Sequence, residues 1–134
     1  MKEIIEKFLK IEQEISSEKG ALYLFALFLR ENAIDVWDLL VAAPWIHNNK
    51  AEILKYVVGK VQKALTPKEL AQLSRVVLIE KDNPILKDIQ STVYTKQGFV
   101  EITDSNFSGL EIKHAFLITS QRNISDADEK SSVN

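Results

Sequence analysis

The stretch from Ala21 to Trp45, ALYLFALFLRENAIDVWDLLVAAPW, constrains the fold most. Ala21–Leu29 is nine apolar residues in a row. In an extended strand Leu22, Leu24, Ala26 and Phe28 point one way, and Tyr23, Phe25, Leu27 and Leu29 the other. Both faces are apolar, so the strand must be covered on both sides. A helix is the competing reading. Nine residues are few for one, Gly20 stands at its start, and a membrane span needs about 20. Arg30-Glu31-Asn32-Ala33 is a polar break suited to a turn. Val36–Ala43 resumes the apolar pattern, with Trp37, Leu39, Val41 and Ala43 on one face. Pro44 ends it, because proline cannot donate to a strand ladder. The stretch reads as a hairpin of two central strands.

The rest of the chain arranges itself around that hairpin. Residues 2–18 form an amphipathic helix with Ile4, Phe8, Ile11 and Ile15 at spacings of four, three and four. Asn48 or Asn49 can cap a second helix, in which Leu54, Val57, Val58, Val61 and Leu65 form the stripe and Ile53 and Ala64 its flank. Gly59 in that helix suggests a close approach of another backbone. Thr66-Pro67-Lys68-Glu69 is a capping box with proline at the first helical position, and the short helix it opens should end near Ser74. Val76–Ile79 reads as a third buried strand. Asn83-Pro84 opens another helix, running to about Ser91. Phe99–Thr103 alternates as a strand, Asp104–Gly109 reads as a loop, and Leu110–Thr119 as a last strand. That strand should show Leu110, Ile112, His114, Phe116 and Ile118 on one face. The expected fold is α/β, with α+β as the alternative: one domain over 1–120, with a mixed sheet of about five strands and three to four helices. Residues 121–134 are polar and aperiodic, which predicts a disordered tail.

Composition closes off several functions. The chain has no cysteine, so disulfides, thiolate metal sites and cysteine nucleophiles are excluded. A net charge of −2 offers no long-range attraction to nucleic acid or to an anionic membrane. Lys50, Lys55, Lys60 and Lys63 gather on the second helix, but no arginine or aromatic platform accompanies them, and a solvated face is the plainer reading. The charged N-terminus lacks the apolar core of a signal peptide, so the expected compartment is the cytoplasm. The four glycines are isolated, which leaves no phosphate loop.

Four residues stand out as candidate binding positions. Asp38 interrupts an apolar strand, where a carboxylate is costly unless paired or near the sheet end. Trp37 and Trp45 bracket the same strand, and exposed aromatics favour binding surfaces. His47 lies in the loop before the second helix. His114 is alone on an apolar face and reads as a histidine satisfied by one hydrogen bond. A small-ligand pocket near Pro44–Asn49 is a further option.

Asp104 followed by Glu111-Ile112-Lys113 resembles the acidic pattern of the PD-(D/E)xK nuclease family. The resemblance implies that Asp104 and the Glu111/Lys113 pair would bind a divalent cation and activate water. The pattern departs from the family in two ways, since no proline precedes Asp104 and no helix follows Lys113. The leading expectation is therefore a non-enzymatic domain without metal or cofactor. It would act through protein–protein contact, most simply as a homodimer. A metal-dependent nuclease or other hydrolase using Asp104, Glu111 and Lys113 is the alternative.

Overall fold

The computed structural model describes residues 2–32 and 36–122. The chain runs α1 (Lys2–Lys19), β1 (Leu24–Arg30), β2 (Trp37–Ala42), α2 (Lys50–Ala64), α3 (Pro67–Leu70), β3 (Leu73–Leu78), α4 (Pro84–Thr92), β4 (Val100–Phe107) and β5 (Leu110–Ser120). The five strands form one mixed sheet in the order β3-β2-β1-β5-β4. Only β2 and β3 are parallel, as a helical crossover requires, and the other neighbours are antiparallel.

The doubly apolar run sits where both its faces can be covered. β1 is the central strand, between β2 and β5. On one face Phe25, Leu27, Leu39, Val41, Phe116 and Ile118 meet Phe8, Ile11 and Ile15 of α1 and Ile53, Val57 and Val61 of α2. On the other, Leu24, Phe28, Leu40 and Leu117 meet Leu86 and Ile89 of α4 and Phe107 of β4. The result is an α/β domain with helices on both sides of its sheet. Glu18 ties the first two helices, accepting from Tyr56 Oη at 2.6 Å and Lys60 Nζ at 2.7 Å. The hydrogen bonds from Lys60 and Tyr56 hold its carboxyl below the ordinary range. Tyr56 and Lys60 therefore join helices and are not merely solvated.

Local signals are borne out where their partners are near in sequence. Thr66 and Glu69 form the capping box, and Pro67 occupies the first turn. Asn83 caps α4 by accepting from the Ile85 amide at 2.9 Å. Asn49 is the exception. It holds the N-cap position of α2 without capping it. Its Oδ1 accepts from the His47 amide instead.

Several expectations are corrected by packing. In α2 the buried residues are Ile53, Val57 and Val61, while Leu54 is 38% exposed. The helix turns this side down because it must reach both α1 and β3. A Cβ at Gly59 would meet nothing within 4 Å, so no backbone approaches there. The helix opened by Pro67 stops at Leu70, because the next residues join the sheet and Trp37 N donates to Gln72 O at 2.8 Å. The third strand is an edge, half-exposed along its length, and not a buried strand.

The expected Asp104–Gly109 loop is mostly strand. Its turn is only Ser108-Gly109, both at positive φ, the geometry of a two-residue hairpin. The last strand does not keep one face. Its pairing with β1 steps from Leu29↔His114 to Arg30↔Ile112, which leaves Lys113 as an extra residue. Ile112 then packs on the α4 side, while Phe116 and Ile118 pack under α1. Asp104, at φ 46°, lies where β4 passes this irregularity. Gln121, the first residue of the expected tail, is buried and donates from Nε2 to Leu22 O at 2.7 Å. Residues 123–134 of that tail lie outside the described residues.

Candidate functional site

Asp38 is buried and paired. The β2 ladder places it opposite Phe28 on one side and Arg75 on the other. Arg30 Nε donates to its Oδ2 at 2.7 Å, and the Arg75 guanidinium lies 3.4 Å from Oδ1. Its side chain is 3% exposed, and Oδ1 has no hydrogen bond. The easy explanation of a sheet-end carboxylate therefore gives way to a buried ion-pair cluster in which one acid bridges two strands.

Trp37 faces the opposite side. Its ring lies 5.5 Å from Phe116 and 5.4 Å from His114, across β1. His114 is 2.7 Å from Glu101 Oε2, as expected of a histidine satisfied by one bond. Trp45 lies beyond the other end of β2, where its indole N–H donates to Gly20 O and Ala21 O, each at 3.1 Å. His47 is exposed, and its Nδ1 accepts from the Asn48 amide. Trp37 and Asp38 are thus neighbours on opposite faces, and Trp45 and His47 are a strand's length away. The four do not form one site.

Asp104, Glu111 and Lys113 are all exposed on the β4–β5 hairpin. The irregularity at Lys113 breaks the alternation that would have put Glu111 and Lys113 on one face. Among the described residues no group of three or more histidines and acids is placed to hold a metal.

Two features escaped sequence reasoning. The first is a cleft of about 780 Å³ between the second half of α1, the segment 20–22 leading into β1, the end of β5 and the turn at 96–98. Leu9, Leu22 and Ile118 give it an apolar floor. Glu12 lines it and is only 9% exposed. The Thr119 hydroxyl donates to Glu12 Oε2. Burial pushes the Glu12 carboxyl above its ordinary range, against the Thr119 hydrogen bond and the charge of Lys96, which lower it. The sequence carried one signal for this: Glu12 follows Phe8 by four residues, so helical spacing carries it toward the buried side.

The sign of the resulting pH dependence is fixed. Below the unfolded-state value, near 4.5, both states hold the proton and burial costs nothing. As pH rises past that value, the folded state keeps a proton that the unfolded state has released, and stability falls until the folded carboxyl ionises too. Glu12→Gln keeps an acceptor for Thr119 and removes this term. The variant should melt higher than the wild type near neutral pH, and the gap should close as pH falls toward about 4. A gap that does not change with pH would show that Glu12 carries no such penalty.

The second feature is the contrast between the sheet's two edges. β4 carries Glu101 and Asp104 and is kinked by the positive φ at Asp104. β3, Leu-Ser-Arg-Val-Val-Leu, has no proline or lysine, and Arg75, its single charge, is paired with Asp38. Nothing in the sequence separates an edge strand from a central one, because Val76–Ile79 has the composition of either.

The fold defines a small mixed α/β domain whose sheet, among the described residues, ends in β3 on one side and β4 on the other. No known protein family, curated protein or solved structure matches the chain.

Proposed function

We infer that this is a cytoplasmic, non-enzymatic domain that acts through protein–protein contact, with β3 as the contact edge and a second copy of the chain as the simplest partner. The open edge of β3 carries this reading. Natural edge strands are usually protected by lysine, proline, a bulge or a covering element. β4 carries the acids Glu101 and Asp104 and the positive φ at Asp104, whereas β3 has no proline or lysine, and past its one-residue slip against β2 at Ser74 it runs regularly from Arg75 to Leu78. Half-buried Leu73, Val76 and Leu78 lie beside α2, whose Leu54 is exposed, so an apolar margin flanks the backbone edge. Antiparallel pairing about a twofold axis satisfies the same donors and acceptors on both copies. Arg75 opposes it little, because Asp38 already offsets its charge. The hydrolase reading has less support, since Asp104, Glu111 and Lys113 stand exposed on the β4–β5 hairpin, and among the described residues no group of histidines and acids is placed to hold a metal. Among the described residues no helix is long and apolar enough to cross a membrane.

The expected result in sedimentation is a species of twice the 15.2 kDa chain mass. Amide exchange across 73–78 should slow as concentration rises. Leu54→Glu should yield monomers with the melting temperature of the fold itself nearly unchanged, because an exposed position costs only about 0.5 kcal/mol. A monomer at every soluble concentration, or a dimer indifferent to Leu54→Glu with unprotected 73–78 amides, would defeat the reading.

A further inference from the structure

We propose that two copies of the chain pair along β3 in one register, with the twofold axis passing between Val77 and its mate. The register rests on β3 being the contact edge and adds which residues meet there. It follows first from where the backbone groups point. Trp37 N donates to Gln72 O and Val41 O accepts from Ile79 N, each at 2.8 Å, so Trp37, Leu39 and Val41 turn their groups toward β3. The residues between them turn toward β1, as the bond from Tyr23 N to Ala42 O shows. Leu39 and Val41 stand opposite Val76 and Leu78. In a parallel ladder each bonds to the residues on either side of its opposite number. Arg75, Val77 and Ile79 therefore face β2, and Val76 and Leu78 turn their N–H and C=O groups outward. Among the described residues no strand lies on that side.

An antiparallel partner bonds to outward groups in pairs, each pair exchanging both of its bonds. An axis at Val77 sets Val76 against Leu78 of the second copy, and Leu78 against its Val76, so every outward group of the regular stretch is used. An axis at Val76 would set Leu78 against Ser74, which sits at the slip in the β2 pairing. An axis at Leu78 would set Val76 against Glu80 and Arg75 against Lys81, a like-charge pair. The side chains favour the same choice. Val76 and Leu78 are half-buried on the α2 side of the sheet and Val77 on the α4 side. With the axis at Val77, apolar residues meet apolar residues on both faces, and Arg75 falls opposite Ile79. The axis is perpendicular to the sheet, so both α2 helices stand on one face, the face from which Leu54 is exposed.

The chain has no cysteine, so single cysteine substitutions read the register directly. Two residues at the axis in a non-hydrogen-bonded pair lie about 4.5 Å apart at Cα, within disulfide reach. A residue one position from the axis lies roughly 7–8 Å from its own mate, at the limit of reach. Under mild oxidation of the full chain, Val77→Cys should form a disulfide-linked dimer roughly tenfold or more faster than Val76→Cys or Leu78→Cys alone. A mixture of Val76→Cys and Leu78→Cys should cross-link where neither does by itself, and it carries the test if Val77→Cys loosens the dimer. Sedimentation of the wild type separates the two ways of failing. A monomer defeats self-association and the register with it. A wild-type dimer in which Val76→Cys or Leu78→Cys cross-links as fast as Val77→Cys, or in which neither Val77→Cys nor the mixture cross-links, overturns the register and leaves self-association standing.

Discussion

Arg30→Met should destabilise the domain by about 3 kcal/mol or more, the range for breaking a buried ion pair from one side. The large effect comes from what stays behind. Asp38 is 3% exposed and cannot reach water when its partner is removed. Its one short hydrogen bond comes from Arg30 Nε at 2.7 Å. The remaining contacts, from Arg75, are 3.4 and 3.5 Å long and belong to a side chain that is 57% exposed. Arg75→Met should therefore cost clearly less than Arg30→Met. Asp38→Leu in the Arg30→Met background should recover most of the loss, since an apolar pair of similar volume often replaces a buried ion pair at little cost. Urea unfolding of the two single variants and the double variant measures the coupling directly. If Arg30→Met and Arg75→Met cost the same small amount, Asp38 is hydrated and the cluster is not a buried one.

Phe25→Ala should cost about 3–5 kcal/mol, a large part of the roughly 5–15 kcal/mol by which such domains are stable. Phe25 is fully buried on the central strand, paired with Val41 of β2 and Thr119 of β5. Its ring lies 6.2 Å from that of Phe8, so truncation opens a void between α1 and the sheet. Neighbouring strands are held by their own ladders and cannot collapse into that space. Tyr94→Ala, at a position 67% exposed, is the control and should stay within about 0.5 kcal/mol. A denaturant midpoint for Phe25→Ala close to that of Tyr94→Ala would remove β1 from the centre of the sheet.

The apolar run at Ala21–Leu29 fixed the character of the centre before any pairing was known. Alternation with no polar face requires cover on both sides, and β1 has it. The capping box at Thr66 and the Asn83-Pro84 helix start were equally legible, because each is completed within a few residues of chain. The histidine at 114 also has the hydrogen bond expected of it, and its partner is Glu101.

Strand order was not legible, because β1 pairs with β5 across most of the chain length and a ladder carries no address in its sequence. The edge position of β3 follows from that order alone. The irregularity at Lys113 arises from how β5 fits β1, so it shifted a face that alternation had assigned to Ile112. Asp38 shows the same division. The sequence marked it as a carboxylate needing a partner, and the burial of β2 between β1 and β3 determined that two arginines would supply it. Glu12 lies at the far limit of local reasoning. Helical spacing turns it inward, but its hydroxyl partner is 107 residues away, and only the closing of β5 against β1 brings Thr119 to it.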